Sequence, residues 1–567
     1  MKPQIIVCGL GQTGYRIFTL LKQQGAGVVG ISDRPLSHSS DDNIIIGNPQ
    51  ECSTLLKAGI KDAHTLVLAS RDDAVNLAVL TQARVLNPNI RIINRLFNST
   101  LGDRLDSTLP DHSSMSVSAL AAPIFTFAAM GNQAIGQLQL FNQTWAIHEE
   151  KIDEKHPWLG VSLRDLWDNR SRMLIYYLPA KGKMDLVSAV LQERKLQVGD
   201  RIIIGTRPIF RQSRRSKLKK VFKAIANLRQ YQHHVRPIAL VTLALLITIF
   251  IATTTYIFVN FNTSFFESLY FSVGMITGAG GLEEVAEEGN NLIKVFTAIM
   301  MLVGAGVIGI CYALINDFIL GNRIKQFWDA ARVPTHHHYI VCGLGGIGIQ
   351  IVQQLYSQKQ EIVIIETDPN NRFLHTARSM GIPIILEDAT LLSSLKAVNI
   401  DKAEAVFAVT SNDMVNVEIA LTVKAIVPKM HVIVRNSNSE STKAVQQVFN
   451  FQTVLCPTEL ASPSFAAAAL GGKILGNGIT GNLLWVALAT RITASHPFCG
   501  KLVKEAAMEA DFVPLYLESD RKTIHSWPLL ETILSPGDIL YLTMPATGLE
   551  LLWRATPSQR IPSSLVS

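Results

Sequence analysis

Two kinds of apolar pattern divide the chain. In the outer thirds, short apolar runs such as Ile5–Val7 and Ile362–Ile365 alternate with helical spacing, the rhythm of strands joined by helices. The middle is different. Ile238–Val259 runs 22 residues and Val295–Ile315 runs 21 residues without a charge. At about 1.5 Å rise per residue, each is long enough to cross a hydrocarbon core of about 30 Å. Between them Ser264–Ile276, SFFESLYFSVGMI, is apolar but only 13 residues long, too short to span. It runs into the small-residue turn Thr277, Gly278, Ala279, Gly280, Gly281, Leu282 and the acids Glu283 and Glu284. We read 237–320 as an all-α module of two transmembrane helices with a re-entrant segment at 264–288. Such backbone is tolerated at membrane depth only where protein or water satisfies it. A plain hairpin with a partly apolar loop is the other reading of the same pattern.

Charge orients this module. Residues 211–236 carry nine Lys and Arg and no acid, more than the net +7 of the whole chain, so the remainder is slightly negative. Leu218, Val221, Phe222, Ile225 and Leu228 recur at helical spacing within it. That is the pattern of an amphipathic helix on an anionic leaflet, and a basic segment beside a span marks the cytoplasmic side better than it marks a nucleic-acid site. A multi-pass protein of the cell membrane follows, with both termini and both outer regions cytoplasmic. The first strand starts at Gln4, so no leader is expected. Six scattered cysteines without a C-x-x-C pair suggest reduced thiols and no metal site.

The outer regions repeat each other. Each opens with a strand running into G-x-G-x-x-G: Gly9, Gly11 and Gly14, then Gly343, Gly345 and Gly348. At an offset of 340 residues Asp73 matches Asp413, Asn76 matches Asn416 and Arg95 matches Arg435. Leu120-Ala121-x-Pro123-x-Phe125 likewise matches Leu460-Ala461-x-Pro463-x-Phe465, and His156-Pro157 matches His496-Pro497. Each copy is thus an α/β Rossmann-like unit, 1–140 and 336–478, followed by a small α+β unit, 141–210 and 479–567. Residues 211–236 and 321–335 are linkers, and the run His336-His337-His338 reads as linker too.

In such a turn the first two glycines bring backbone close to a pyrophosphate and the third packs helix on strand. In the C-terminal copy strand two ends at Glu366, followed by Asp368, and the next strand ends near Asp388. An acid there takes ribose hydroxyls, which favours NAD(H), ADP or ATP. With Arg435 these form the expected nucleotide site. In the N-terminal copy Ser32 replaces Glu366, Asp33 falls one residue late, Asn48 replaces Asp388, and six residues are missing before it. A copy that keeps the fold and binds nothing is an open reading at either turn, and more so at this one.

A Rossmann-like unit with a small C-terminal subdomain resembles the RCK domain, the regulator of potassium conductance. Leu269-Tyr270-Phe271-Ser272-Val273 resembles the pore helix of the two-span potassium-channel family. The resemblance implies a homotetramer in a bilayer whose eight RCK domains form a gating ring around a pore. It also implies prokaryotic origin, with nucleotide or Ca2+ as ligand and Gly304 and Gly306 of the second span at a gating hinge. Close helix packing is the alternative role for those glycines. Against the family's T-T-V-G-Y-G-D, Gly278, Gly281 and Leu282 depart, so strict potassium selectivity is not implied. Glu283, Glu284, Glu287 and Glu288 would ring the mouth and gather cations: K+, Na+ or divalents. The expected function is a ligand-gated cation channel, not an enzyme, because no acid/base constellation beside a nicotinamide is shared by the copies. Two alternatives stay open: a non-conducting nucleotide sensor acting on a partner transporter, and a non-selective or divalent-cation channel.

Overall fold

The computed structural model describes residues 4–35, 43–130, 135–140, 143–168, 172–182, 184–206, 232–259, 264–277, 291–320, 329–470, 473–480, 483–494, 496–519 and 522–549. The turn Gly278–Glu284, the segment 211–231 and linker residues 321–328 lie outside the described residues.

The first sheet comprises β1 (Gln4–Cys8), β2 (Gly27–Ser32), β3 (Ile44–Ile46), β4 (Thr65–Leu68), β5 (Arg91–Arg95) and β6 (His112–Met115). All six are parallel, in the order β3-β2-β1-β4-β5-β6. Central strands covered on both faces read as continuous apolar runs, and every residue of β4 is buried. Next come β7 (Gly136–Leu140), β8 (Gln143–Lys151), β9 (Arg172–Leu178) and β10 (Arg201–Thr206). The pattern then returns as β11 (His338–Cys342), β12 (Glu361–Glu366), β13 (Ile384–Leu386), β14 (Ala403–Ala408), β15 (His431–Arg435) and β16 (Thr453–Leu455), again parallel and in the order β13-β12-β11-β14-β15-β16. His338, read above as linker, opens β11. It is fully buried, with Nε2 2.8 Å from the Val398 carbonyl oxygen. The chain closes with β17 (Lys473–Thr480), β18 (Leu483–Arg491), β19 (Val513–Ser519), β20 (Lys522–Ile524) and β21 (Ile539–Pro545).

The repeat residues pin loops. Asn76 Nδ2 donates to the Arg95 carbonyl at 2.8 Å, and Asn416 Nδ2 donates to the Arg435 carbonyl at 3.1 Å. Asp73 accepts from the backbone N–H of Phe97 as Asp413 accepts from that of Ser437, at 3.0 and 2.9 Å. Matched residues thus hold matched backbones.

The two copies are joined in two ways. β7 pairs antiparallel with β17, so the small units form one nine-stranded sheet, β20-β19-β21-β18-β17-β7-β8-β10-β9. The seam admits no side chain at Gly136: a Cβ there would lie 2.2 Å from the Asn477 carbonyl oxygen. The second link is an exchange of helices. Helix Val117–Ala129 buries Ala121, Ala122 and Phe125 against Val341, Ile351 and Phe407 of the C-terminal copy. Helix Pro457–Leu470 buries Ala461, Phe465 and Ala466 among Ile5, Val7 and Ile17 of the N-terminal copy. Each parallel sheet is completed by the other copy's helix.

Between the copies run helices Gln232–Val259, Phe265–Thr277 and Asn291–Leu320. Phe271 is buried against Ala252, Tyr256 and Met300, and the Tyr256 hydroxyl lies 2.9 Å from Thr297 Oγ1. Among the described residues, Leu240–Phe258 is long and apolar enough to cross a membrane; the apolar stretch Lys294–Ile310 is shorter. A Cβ on Gly304 would lie 2.9 Å from Ile276 Cα, so this glycine lets the last helix touch the short one, whereas Gly306 faces open space.

Candidate functional site

The glycine turns have the geometry of a phosphate-binding turn in both copies. Gly9 and Gly343 sit at φ +84° and +97°, conformations that favour glycine. A Cβ on Gly14 or Gly348 would lie 2.1 Å from the carbonyl oxygen of Gly9 or Gly343, which explains the third glycine as a close crossing of helix and turn. Gly11 and Gly345 cap helices Gln12–Gln23 and Gly346–Ser357 without a side-chain hydrogen bond. First-turn N–H groups have no intrahelical partner, and with the helix dipole they suit an anion. Cys8 and Cys342 end the preceding strands, and burial pushes both thiols up to about 12, which keeps them protonated.

What surrounds the turns differs. Glu366 ends β12 with 8% of its surface exposed. One carboxylate oxygen accepts from the Leu344 N–H at 2.6 Å and Asn371 Nδ2 at 3.1 Å; the other accepts from the N–H groups of Thr367 and Asp368 at 2.8 and 3.0 Å. The acid that would meet a ribose therefore also ties strand two to the glycine turn. Asp368 and Asp388 are exposed and accept from the N–H groups of Asn370 and Thr390, each at 2.9 Å. Arg435 Nη1 donates to the Thr410 carbonyl at 2.8 Å, directly beside Gly343, and burial lowers its pKa. Its side chain braces the loop opposite the turn. These residues fit an adenine dinucleotide or nucleotide: a helix N-terminus for phosphate and an acid at the ribose position.

In the N-terminal copy Ser32 donates to the Arg34 carbonyl at 2.7 Å, and Asp33 is exposed, 3.6 Å from Arg34. No acid there reaches the turn among the described residues. Arg71 instead bridges to Gln12 at 2.6 Å, across the start of the helix. Arg95 donates to the Ala69 carbonyl at 3.1 Å and to Thr13 at 3.2 Å; burial brings its pKa down to about 10.

Each turn also lies under the other copy. Gly346 sits below Phe97: a Cβ on that glycine would be 2.5 Å from the ring and 2.8 Å from Ser118 Oγ. The Arg372 guanidinium stacks over the Phe97 ring at 4.2 Å and the Phe373 ring at 4.9 Å. At the N-terminal turn the cross-copy contacts are polar: Thr13 Oγ1 lies 3.3 Å from Thr458 Oγ1, and Arg16 pairs with Glu459 at 2.9 Å. Phe97, Ser118 and Arg372 were not evident from sequence. The available signal was an aromatic residue where the other copy has Ser437, facing the extra glycine of Gly-Leu-Gly-Gly.

A second cluster stands where the described chain resumes after the last apolar helix. Asp329 keeps 2% side-chain exposure between Arg332 at 3.1 Å and Arg378 at 3.4 Å. Burial raises its pKa and the two guanidinium groups oppose the rise. The paired histidines serve turns: Nδ1 of His156 and of His496 accepts from the backbone N–H two residues on, each at 3.2 Å.

The family model for the TrkA-N domain matches residues 5–108 and 339–457. Potassium channel protein 1 of Methanocaldococcus jannaschii is 22% identical over 299 residues, 51% of this chain and 89% of the relative. The voltage-gated potassium channel Kch of Escherichia coli is 22% identical over 231 residues, 39% of this chain and 53% of the relative. Across the curated relatives the aligned share of their own length runs from 29% to 89%. The solved structure of the GsuK channel bound to NAD aligns over 98% of this chain and 79% of that chain, with 12% identity and a TM-score of 0.47. The chain carries two TrkA-N domains, the RCK module expected from its paired glycine turns, and is homologous to archaeal and bacterial potassium channel proteins.

Proposed function

We propose that the chain is the subunit of a ligand-gated cation channel, in which a nucleotide at the C-terminal glycine turn biases a ring of RCK domains and thereby the pore. The observation that carries this reading is the placement of the C-terminal turn beneath Phe97 of the other copy. A ligand entering beside Gly343–Gly348 meets both copies at once, so its binding energy depends on how they are juxtaposed. Differential affinity for two arrangements is what gating requires; a shift from mostly closed to mostly open needs about 5.5 kcal/mol of it. Asp329, Arg332 and Arg378 support the output side, since they lock the chain arriving from helix Asn291–Leu320 onto the C-terminal domain.

The nucleotide is NAD(H), ADP or ATP, with phosphate at the N-terminus of helix Gly346–Ser357 and ribose near Glu366. Four subunits would surround the pore through helices Phe265–Thr277 and Asn291–Leu320, with Thr277 leading into the filter turn. Both copies lie on the cytoplasmic side. Ca2+ is the alternative gating ion. Permeation of K+, Na+ or divalents follows from the mouth acids, and the departures at Gly281 and Leu282 favour a less selective pore. Those same departures support the second reading, a membrane-anchored nucleotide sensor that carries no current.

The deciding measurement is single-channel recording of the full chain in planar bilayers under K+, Na+ and Ca2+ gradients, with NADH, ADP, ATP and Ca2+ varied on one side. A current whose open probability follows one nucleotide, and that loses this response in Glu366→Ala, is the expected result. Neutralising Glu283 and Glu284 should lower its conductance. Absence of current in every cation, with nucleotide bound, would establish the sensor instead.

A further inference from the structure

A cavity of about 760 Å³ lies between the copies, apart from the glycine turns. Helix Val117–Ala129 and strands β7 and β8 form one side; helix Gly346–Ser357 and β17 form the other. Its polar wall is built from amides: Gln137, Gln350, Gln353, Gln354, Gln358 and Asn477. Leu120, Pro123 and Ile474 supply an apolar wall. No charged side chain lines it among the described residues.

The duplication provides an internal control. Counting from the glycine motifs, Gln350 stands where the N-terminal copy has Arg16, and Gln354 stands where it has Leu20; Ala119 stands where the C-terminal copy has Glu459. In that related place Arg16 pairs with Glu459 and Leu20 is buried. One junction is thus closed by an ion pair and a leucine. The other has exchanged those groups for amides, an alanine and open volume.

The amides are only partly used. Gln137 donates through Nε2 to the Leu120 carbonyl at 3.2 Å, but its Oε1 is shielded from solvent and has no partner among the described residues. Gln354 Oε1 accepts from Thr126 at 3.1 Å, and Asn477 Nδ2 donates to Ser464 Oγ at 2.6 Å. Amides present donors and acceptors but no charge. A phosphate or carboxylate placed among them would be desolvated without a counter-ion. The volume lies within the range of small-molecule sites, roughly 300–1,000 Å³.

We propose that this cavity binds an uncharged small molecule rich in hydrogen-bond donors and acceptors, and that its occupancy braces the exchanged helix against the helix that follows the C-terminal glycine turn. A free nucleoside and a polyol share that chemistry. The test uses the full chain in detergent, with adenosine and myo-inositol as probes and AMP as the charged control. Ala119→Trp fills the cavity from an exposed position, and the signal assigned to the cavity is the part of binding that this variant loses. One neutral probe is expected to raise the melting temperature saturably by a few degrees at about a hundred-fold excess over its dissociation constant. Ala119→Trp should weaken it at least about tenfold while melting normally without probe. Gln353→Leu should do the same and serves if the tryptophan variant does not fold. Adenosine alone identifies a nucleoside site and myo-inositol alone a polyol site. The proposal is overturned if neither neutral probe binds, if the variants leave binding unchanged, or if AMP occupies the variant-sensitive site as tightly as adenosine.

Discussion

The two glycine turns share a backbone and differ in almost everything that reaches it. Around Gly343 a buried carboxylate gathers three backbone N–H groups, and an aromatic ring from the other copy closes over the helix start. Around Gly9 the corresponding positions carry a serine bonded to its own loop and an Arg71–Gln12 bridge. Backbone geometry is kept because the third glycine and the helix crossing are needed for folding. The surrounding side chains are free to diverge, and a duplicated protein can leave one turn as scaffold while the other recognises a ligand.

The largest test addresses what the copies share. Phe125 and Phe465 are fully buried in the exchanged helices, so truncating either to alanine should cost about 3–5 kcal/mol, read as a lowered urea midpoint of the full chain. A much smaller loss from one of them would show that the exchange matters to only one sheet. The next sets the turns apart. Glu366→Ala strands the Leu344 N–H and should cost about 1–3 kcal/mol and remove nucleotide binding in calorimetry, whereas Ser32→Ala, which loses one buried hydrogen bond to its own loop, should cost about 0.5–1.5 kcal/mol and leave binding intact. Equal loss of nucleotide from both variants would erase the distinction. Phe97→Ala should change nucleotide affinity several-fold, on the order of 1 kcal/mol, because it uncovers Gly346 and frees Arg372; Ser437→Ala, at the matching position, should not. Equilibrium dialysis with labelled nucleotide separates the two.

The smallest effect concerns pH. The folded state holds the Asp329 carboxyl above its ordinary 3.8, chiefly by burial. The native chain therefore binds this proton more readily than the unfolded chain. Its stabilising contribution is complete below 3.8 and is lost as pH rises through the raised value. Relative to Asp329→Asn, the natural chain should gain melting temperature as the solution is acidified toward that range. Parallel curves for the two proteins would assign the anchor no titration.

Much of this organisation is legible in the residues. The glycine spacing, the offset of Asp73, Asn76 and Arg95 against their partners, and the acid at Glu366 all report local backbone demands, and local demands leave local signatures. The exchange of helices does not. Ala121, Ala122 and Phe125 announce an apolar face, but a parallel sheet of either copy would bury it equally well, so periodicity cannot name the recipient. The β7–β17 seam is hidden for the same reason, its glycines reading as ordinary turn residues. Phe97 was missed because its partner is Gly346, 249 positions away in sequence and with no side chain to suggest a contact.

The exchanged helices carry a further consequence for how such a chain can be cut. A lone half would expose the unpaired edge of β7 or β17 and leave one face of its parallel sheet bare, both strong invitations to association. Two identical halves could satisfy each other by the same handclasp that the unequal halves use here. Joined in one polypeptide, the partners are held at fixed ratio and high local concentration, which frees each to accumulate changes that a self-pairing half could not tolerate. The amide-lined hollow on one side and the ion pair on the other are differences of that kind.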